Sequence, residues 1–76
     1  MTYYVVTRQT PVCPYCVAAK RLLQTLEINY EEIEVTDVID TIKKLGIKTV
    51  PAIFLSKPLS MDSFLGGYEQ LREHLK

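Results

Sequence analysis

Two cysteines stand in Cys13-Pro14-Tyr15-Cys16, and the chain has no others. A thiolate attacks disulfides and also binds soft metals, so a close pair can exchange disulfides or supply part of a metal site. A structural zinc site needs four ligands, and the one other soft ligand here is His74, near the C-terminus. No metal is therefore expected. Exchange needs two unequal thiols. Free cysteine titrates at about 8.5, so only a few per cent is ionised at neutral pH. A helix start offers unsatisfied N–H groups that act like roughly half a positive charge. In a Cys-x-x-Cys pair at such a start the first pKa falls to roughly 3.5–7.5. Cys13 is placed there, with the amides of Tyr15 and Cys16 directed at its sulfur. Cys16 lies one turn further in, more buried and more protonated. Cys13 is then the attacking thiol and Cys16 the resolving one. Pro14 limits the conformations of the spacer.

The surrounding pattern predicts elements that would hold the pair in this way. Tyr3 to Thr7 is β-branched and aromatic and reads as a buried strand. Arg8 to Val12 is a loop broken by Pro11. From Cys13 the period becomes helical, with Val17, Ala19, Leu22, Leu23 and Leu26 close to one face. Asn29 marks a break, and Tyr30 to Val35 alternates as a strand with one solvated face. Thr36-Asp37 offers N-cap chemistry for a helix over Asp37 to Leu45, with Lys43 and Lys44 at its negative end and Gly46 as its stop. Ala52 to Leu55 is a short apolar strand, Lys57-Pro58 a turn, and Ser63 to Leu65 an edge strand ending at Gly66-Gly67. A last helix runs from Tyr68 or Glu69 to Leu75. The order is β-α-β-α-β-β-α. The first β-α-β implies a right-handed crossover and a parallel pair, and the loop before the last strand a loosely connected antiparallel pair. The fold class is α/β, with helices on both faces of the sheet.

At 76 residues the chain is expected to form a single domain, 1–76, with a modest core. Nine basic and nine acidic side chains cancel, which points away from nucleic acid and anionic membrane as partners. Met1-Thr2-Tyr3-Tyr4 lacks a charged segment followed by an apolar one, so no export signal is expected, and no apolar run approaches the ~20 residues of a membrane span. Two cysteines are too few for a secreted disulfide framework, so a reducing, cytoplasmic location is expected. His74 reads as a surface residue, Tyr3, Tyr4 and Tyr30 as packing residues, and Glu31, Glu32 and Glu34 as a solvated strand face.

Cys-Pro-Tyr-Cys at 13–16, Thr49-Val50-Pro51 downstream, and Gly66-Gly67 before a final helix together resemble the glutaredoxins, in the family's order and spacing. The resemblance covers essentially the whole chain, is of the dithiol branch, and is most like small bacterial or phage-encoded members. Thioredoxins typically carry Cys-Gly-Pro-Cys after a tryptophan, and this chain has no tryptophan. The resemblance implies a thioredoxin fold, a four-stranded mixed sheet in the order 2-1-3-4 flanked by three helices. It implies a cis Val50–Pro51 bond that turns the Val50 N–H and C=O outward beside Cys13. It implies a glutathione-dependent thiol–disulfide oxidoreductase that reduces protein disulfides and glutathione mixed disulfides, monomeric, with glutathione as reducing co-substrate and no permanently bound cofactor. By the same resemblance Tyr15 would line the thiol pocket, and Thr49, Val50 and Pro51 would hold the cysteinyl backbone. Gly67 and Tyr68 would face the γ-glutamyl end, and Gly66 would permit close approach.

Two positions depart from the family pattern. Lys or Arg usually stands about three residues before the first cysteine, where this chain has Thr10. Arg8 stands earlier, as if Pro11-Val12 were inserted, and Arg8 or Lys48 would then reach the glycyl carboxylate. An acid often stands where Gln70 is, and Glu69 beside it would have to substitute. These departures keep open a donor recharged by thioredoxin reductase and serving ribonucleotide reductase. A different class of role is a [2Fe–2S] carrier in which two chains share a cluster through Cys13 and two glutathiones. Pro14 and Cys16 argue against that, because monothiol Cys-Gly-Phe-Ser relatives do this most readily.

Overall fold

A β-branched strand, two short antiparallel strands and three amphipathic helices have one economical arrangement, a sheet covered on both faces. The computed structural model describes residues 2–8 and 13–75 and has that form. Strand β1 is Tyr3–Thr7, helix α1 Pro14–Thr25 and strand β2 Tyr30–Glu34. A 3₁₀ turn, Val35–Val38, runs into helix α2, Ile39–Lys44. Strand β3 (Ala52–Phe54), strand β4 (Phe64–Gly66) and helix α3 (Tyr68–His74) follow. The sheet order is β2-β1-β3-β4. β1 lies parallel to β2, with Tyr3 opposite Tyr30 and Thr7 opposite Glu34. β1 and β3 are antiparallel, with Val5 opposite Ile53, as are β3 and β4, with a register shift between Ile53 and Phe54. Both the thioredoxin-type order and the α/β class expected from the resemblance are present.

Successive side chains of a strand point to opposite faces, and β1 distributes its apolar residues accordingly. Tyr3 and Val5 pack with Ala19, Leu23, Ile53 and Leu71, which places α1 and α3 on one face. Val6 packs with Ile42, Ala52 and Phe54, which places α2 on the other. In α1 the buried stripe is Cys16, Ala19 and Leu23, whereas Val17 and Leu26 are exposed. Val17 is two positions from Ala19, about 200° around a helix, and so cannot share its face. Leu26 is the C-cap, past the last helical turn.

Other boundaries shift for local reasons. The helical stretch expected to reach Leu26 ends at Thr25, and the chain turns at Glu27, whose φ is +58. The Ile28 amide bonds the Leu23 carbonyl at 2.9 Å and the Glu27 amide the Gln24 carbonyl at 3.1 Å, a Schellman closure with glutamate where glycine is usual. Thr36 and Asp37 do not cap α2. They lie inside the 3₁₀ turn, neither it nor α2 has a side-chain cap, and α2 begins two residues later than expected. Gly46 stops α2 as expected, at φ +75, with Ile47 N–H bonded to Ile42 C=O at 3.1 Å. The β3–β4 loop is closed rather than loose. Buried Ser63 Oγ accepts the Ser60 amide at 3.2 Å and lies 3.2 Å from the Pro58 carbonyl. Among the described residues no helix is long and apolar enough to cross a membrane.

Candidate active site

Cys13 is the N-cap of α1, with extended φ −100° and ψ 111° and Pro14 at the first helical position. Proline is pre-set for that position and its missing N–H has no intrahelical partner to lose. The helix begins with the Val17 amide on the Cys13 carbonyl at 3.1 Å. One expected contact is in place: the Cys16 amide donates to Cys13 Sγ at 3.3 Å. The Cys13 thiol in turn donates to the Val50 carbonyl at 3.5 Å. Both cysteines are free thiols, and both are buried. Burial pushes the Cys16 thiol from its ordinary 9.0 up to about 12, reinforced by its hydrogen bond and proximity to Cys13 and opposed by a backbone hydrogen bond from Arg8.

The Val50–Pro51 bond is cis, and Lys57–Pro58 is cis as well, which nothing in the sequence reading anticipated. Val50 lines two depressions, and Cys13 lines the second of them. The first is a groove of about 410 Å³ lined by Tyr15, Thr49, Val50, Pro51, Gly67, Tyr68, Glu69 and Gln70. The Tyr15 and Tyr68 rings stand 6.1 Å apart, and Arg72 lies over Tyr68 at 5.9 Å. The second is a cleft of about 640 Å³ on the α2 side, where Arg8, Lys48, Tyr15, Thr49 and Val50 meet Cys13 and Pro14. The residues expected at the site are thus brought to these two surfaces, apart from Cys16, which lines a smaller depression with Cys13, and Gly66, which is buried against Gln70. Thr10 lies outside the described residues.

Gly66 and Gly67 have separate reasons to be small. Gly66 has φ +139, and a Cβ there would meet Gln70 Cγ at 2.6 Å. Gln70 Oε1 accepts the Gly67 amide at 3.0 Å. Gln70 therefore folds back over the glycine pair, and the Gly67 N–H expected to face a carboxylate is already engaged.

The sequence reading missed the α2 wall of the larger cleft: Val35, Ile39, Ile42, Lys43 and Ile47. The only signal available was the apolar spacing of α2, which does not say which apolar residues remain uncovered. It also treated Glu32 as merely solvated. Glu32 instead accepts from buried Thr7 Oγ1 at 2.8 Å and from Lys20 at 2.9 Å, which ties α1 to the edge strand beside Cys16. The Lys20 ammonium holds the Glu32 carboxyl below the usual carboxylate range.

The family model for glutaredoxin matches residues 2–58. Glutaredoxin 1 of Rickettsia prowazekii (strain Madrid E) is 49% identical over 65 residues, covering 78% of this chain and 63% of that protein. Glutaredoxin 1 of Rickettsia typhi (strain Wilmington) is 49% identical over 65 residues, covering 78% of this chain and 58% of its own length. Glutaredoxin 1 of Rickettsia conorii is 49% identical over 49 residues, covering 57% of this chain and 48% of the relative. The chain spans less than two thirds of the length of these curated relatives. With the family match, the paired thiols at the start of α1 and the cis proline beside them, the chain belongs to the glutaredoxin family.

Proposed function

We propose that the protein is a glutathione-dependent thiol–disulfide oxidoreductase that reduces protein disulfides and glutathione mixed disulfides. One observation carries the reading: Cys13 Sγ stands at a helix N-cap with the Cys16 amide 3.3 Å away. An amide so placed stabilises negative charge on sulfur. Cys13 as thiolate attacks one sulfur of a disulfide; the Cys13–sulfur bond forms, the old S–S bond breaks, and the leaving thiolate takes a proton. Once Cys13 has lost its proton, the Val50 carbonyl loses its donor and is available to a substrate backbone N–H. Cys16 then attacks Cys13, releases the second thiol and closes the Cys13–Cys16 disulfide. Two electrons have passed from the dithiol to the substrate, and two glutathiones return them.

The order of the steps follows from the two sulfurs. Cys13 adds to the burial that keeps Cys16 protonated. A mixed disulfide at Cys13 carries no charge, so its formation removes that part of the upward push and readies Cys16 to resolve it. For glutathione, Thr49, Val50 and Pro51 would hold the cysteinyl backbone, Tyr15 and Tyr68 would flank it, and Arg8 or Lys48 would meet the glycyl carboxylate. Among the described residues Glu69 is the one acid lining the groove, and it would face the ammonium.

A Cys16→Ser variant mixed with oxidised glutathione tests the reading: a stable adduct of one glutathione on Cys13 is expected by mass spectrometry. Full disulfide reductase activity in Cys13→Ser would overturn it. The Gln70–Gly67 hydrogen bond favours a second reading, since it withdraws one amide from a γ-glutamyl carboxylate. That reading is a donor recharged by thioredoxin reductase, with ribonucleotide reductase among its substrates. Turnover with that reductase and none with glutathione would establish it over the first.

A further inference from the structure

The wall of the larger cleft has a use beyond glutathione. A thiolate displaces the leaving sulfur of a disulfide in line, from the far side. The two arms of the substrate therefore leave the attacked sulfur in different directions. Two depressions share Tyr15, Thr49 and Val50 beside Cys13, and they differ in chemistry. The Pro51–Tyr68 groove is the smaller, about 410 Å³, and among the described residues its one charged lining residue is the acid Glu69. The α2-side cleft is larger, about 640 Å³, within the range of pockets that enclose ligands. Among the described residues its charged lining residues are all cations, Arg8, Lys43 and Lys48. The acids of the same stretch, Glu34, Asp37 and Asp40, are not in its wall.

The floor between those cations is apolar. Val35 comes from the 3₁₀ turn, Ile39 from the first turn of α2, and Ile47 from the chain that Gly46 turns back. Ile39 is 38% exposed, so a branched apolar side chain stands open to solvent in the cleft that the reactive thiol also lines. An occupant that covered it would gain apolar burial as well as charge pairing.

We propose that this cleft seats the polypeptide arm of the disulfide being reduced, and favours a segment with an apolar side chain next to its cysteine and carboxylates just beyond. The proposal rests on the exchange chemistry above but not on glutathione as the electron donor. Lys43 and Ile39 are the specificity-determining positions. They act on docking, and the atoms and electrons move as already described.

The test is single-turnover oxidation of the pre-reduced protein, without glutathione, by three disulfides. One is hydroxyethyl disulfide, which carries neither a branched apolar side chain nor a charge for the cleft to select. The second is a peptide disulfide with leucine beside cysteine and two aspartates beyond it. The third is the same peptide with lysines for the aspartates. The wild-type protein should be oxidised by the acidic peptide about tenfold faster than by the basic one, the size expected of a few exposed charge interactions. Lys43→Glu should shrink or invert that ratio, with its reaction toward hydroxyethyl disulfide unchanged. Ile39→Ser should slow both peptides and spare the small disulfide. An acidic-to-basic ratio near one in the wild-type protein, or variants that slow all three substrates alike, would overturn the docking site. Reaction with none of the three would overturn the exchange reading itself and this proposal with it.

Discussion

At Cys16 the fold and the chemistry make opposite demands on one proton. Burial, the largest cause, and the neighbouring Cys13 raise its pKa from 9.0 to about 12. A folded-state pKa above the unfolded one means that the fold prefers the protonated thiol. That contribution to stability is present in full below about pH 9 and is lost as pH rises from there toward 12. Serine does not titrate in this window. The stability of the reduced wild-type protein relative to Cys16→Ser, from urea unfolding, should therefore decline across it. A difference that stays flat with pH would show that Cys16 is not held protonated by the fold. The inequality of the two thiols was legible from position, since Cys13 falls at the N-cap of a new helix and Cys16 inside its first turn. The expected role of the Gly67 amide was not legible, because it depended on whether Gln70 would turn toward ligand or back onto its own helix start. Gly66, whose missing Cβ makes room for Gln70, decides that, and only coordinates reveal it.

Among the elements, what could be read depended on how local the cause was. β1 was clear because five consecutive β-branched and aromatic residues leave little alternative. The start of α1 was clear because Cys13-Pro14 combines an N-cap position with proline at the first turn. The start of α2 was misplaced because a cap residue is only an offer. Thr36 and Asp37 carry suitable side chains, yet the chain leaves β2 already turning, and the 3₁₀ turn absorbs both. At the end of α1 the extent was legible but the closing residue was not: it is Glu27, in a conformation that glycine takes more readily. That closure carries a prediction. Glu27 is exposed, and an L-residue in the left-handed region costs about 1–2 kcal/mol, part of which glycine would forfeit again in unfolded-chain entropy. Glu27→Gly is expected to raise stability by about 0.5–1 kcal/mol in urea unfolding, with disulfide exchange unchanged. A loss of stability would mean that the Glu27 side chain supports the corner in some other way.

For the whole molecule, the consequence of small size is that the site depends on both faces of one thin sheet. Cys13 begins α1, which packs through Ala19 and Leu23 on one face. Val50, which accepts the Cys13 thiol hydrogen bond, leads into β3 and packs with Ala52 and Phe54 on the other. The two cores meet through one sheet, each of whose four strands sends side chains to both, so neither face has a sheet of its own to fall back on. At about 0.05–0.15 kcal/mol per residue, 76 residues are held by roughly 4–11 kcal/mol. Phe54 and Leu71 are fully buried on opposite faces. Truncation to alanine costs about 3–5 kcal/mol for a buried phenylalanine and 2–5 kcal/mol for a buried leucine. Either loss is a large share of the total. Phe54→Ala and Leu71→Ala should therefore each shift one common transition, with far-ultraviolet circular dichroism and disulfide exchange activity lost at the same urea concentration. If the faces were independent, Leu71→Ala would instead loosen α1 and α3 first, and activity would disappear ahead of the signal from α2 and the sheet. Coincident loss in both variants is the outcome the shared sheet requires. It would also explain why a thiol pair whose chemistry is legible from four residues needs nearly the whole chain to hold it in place.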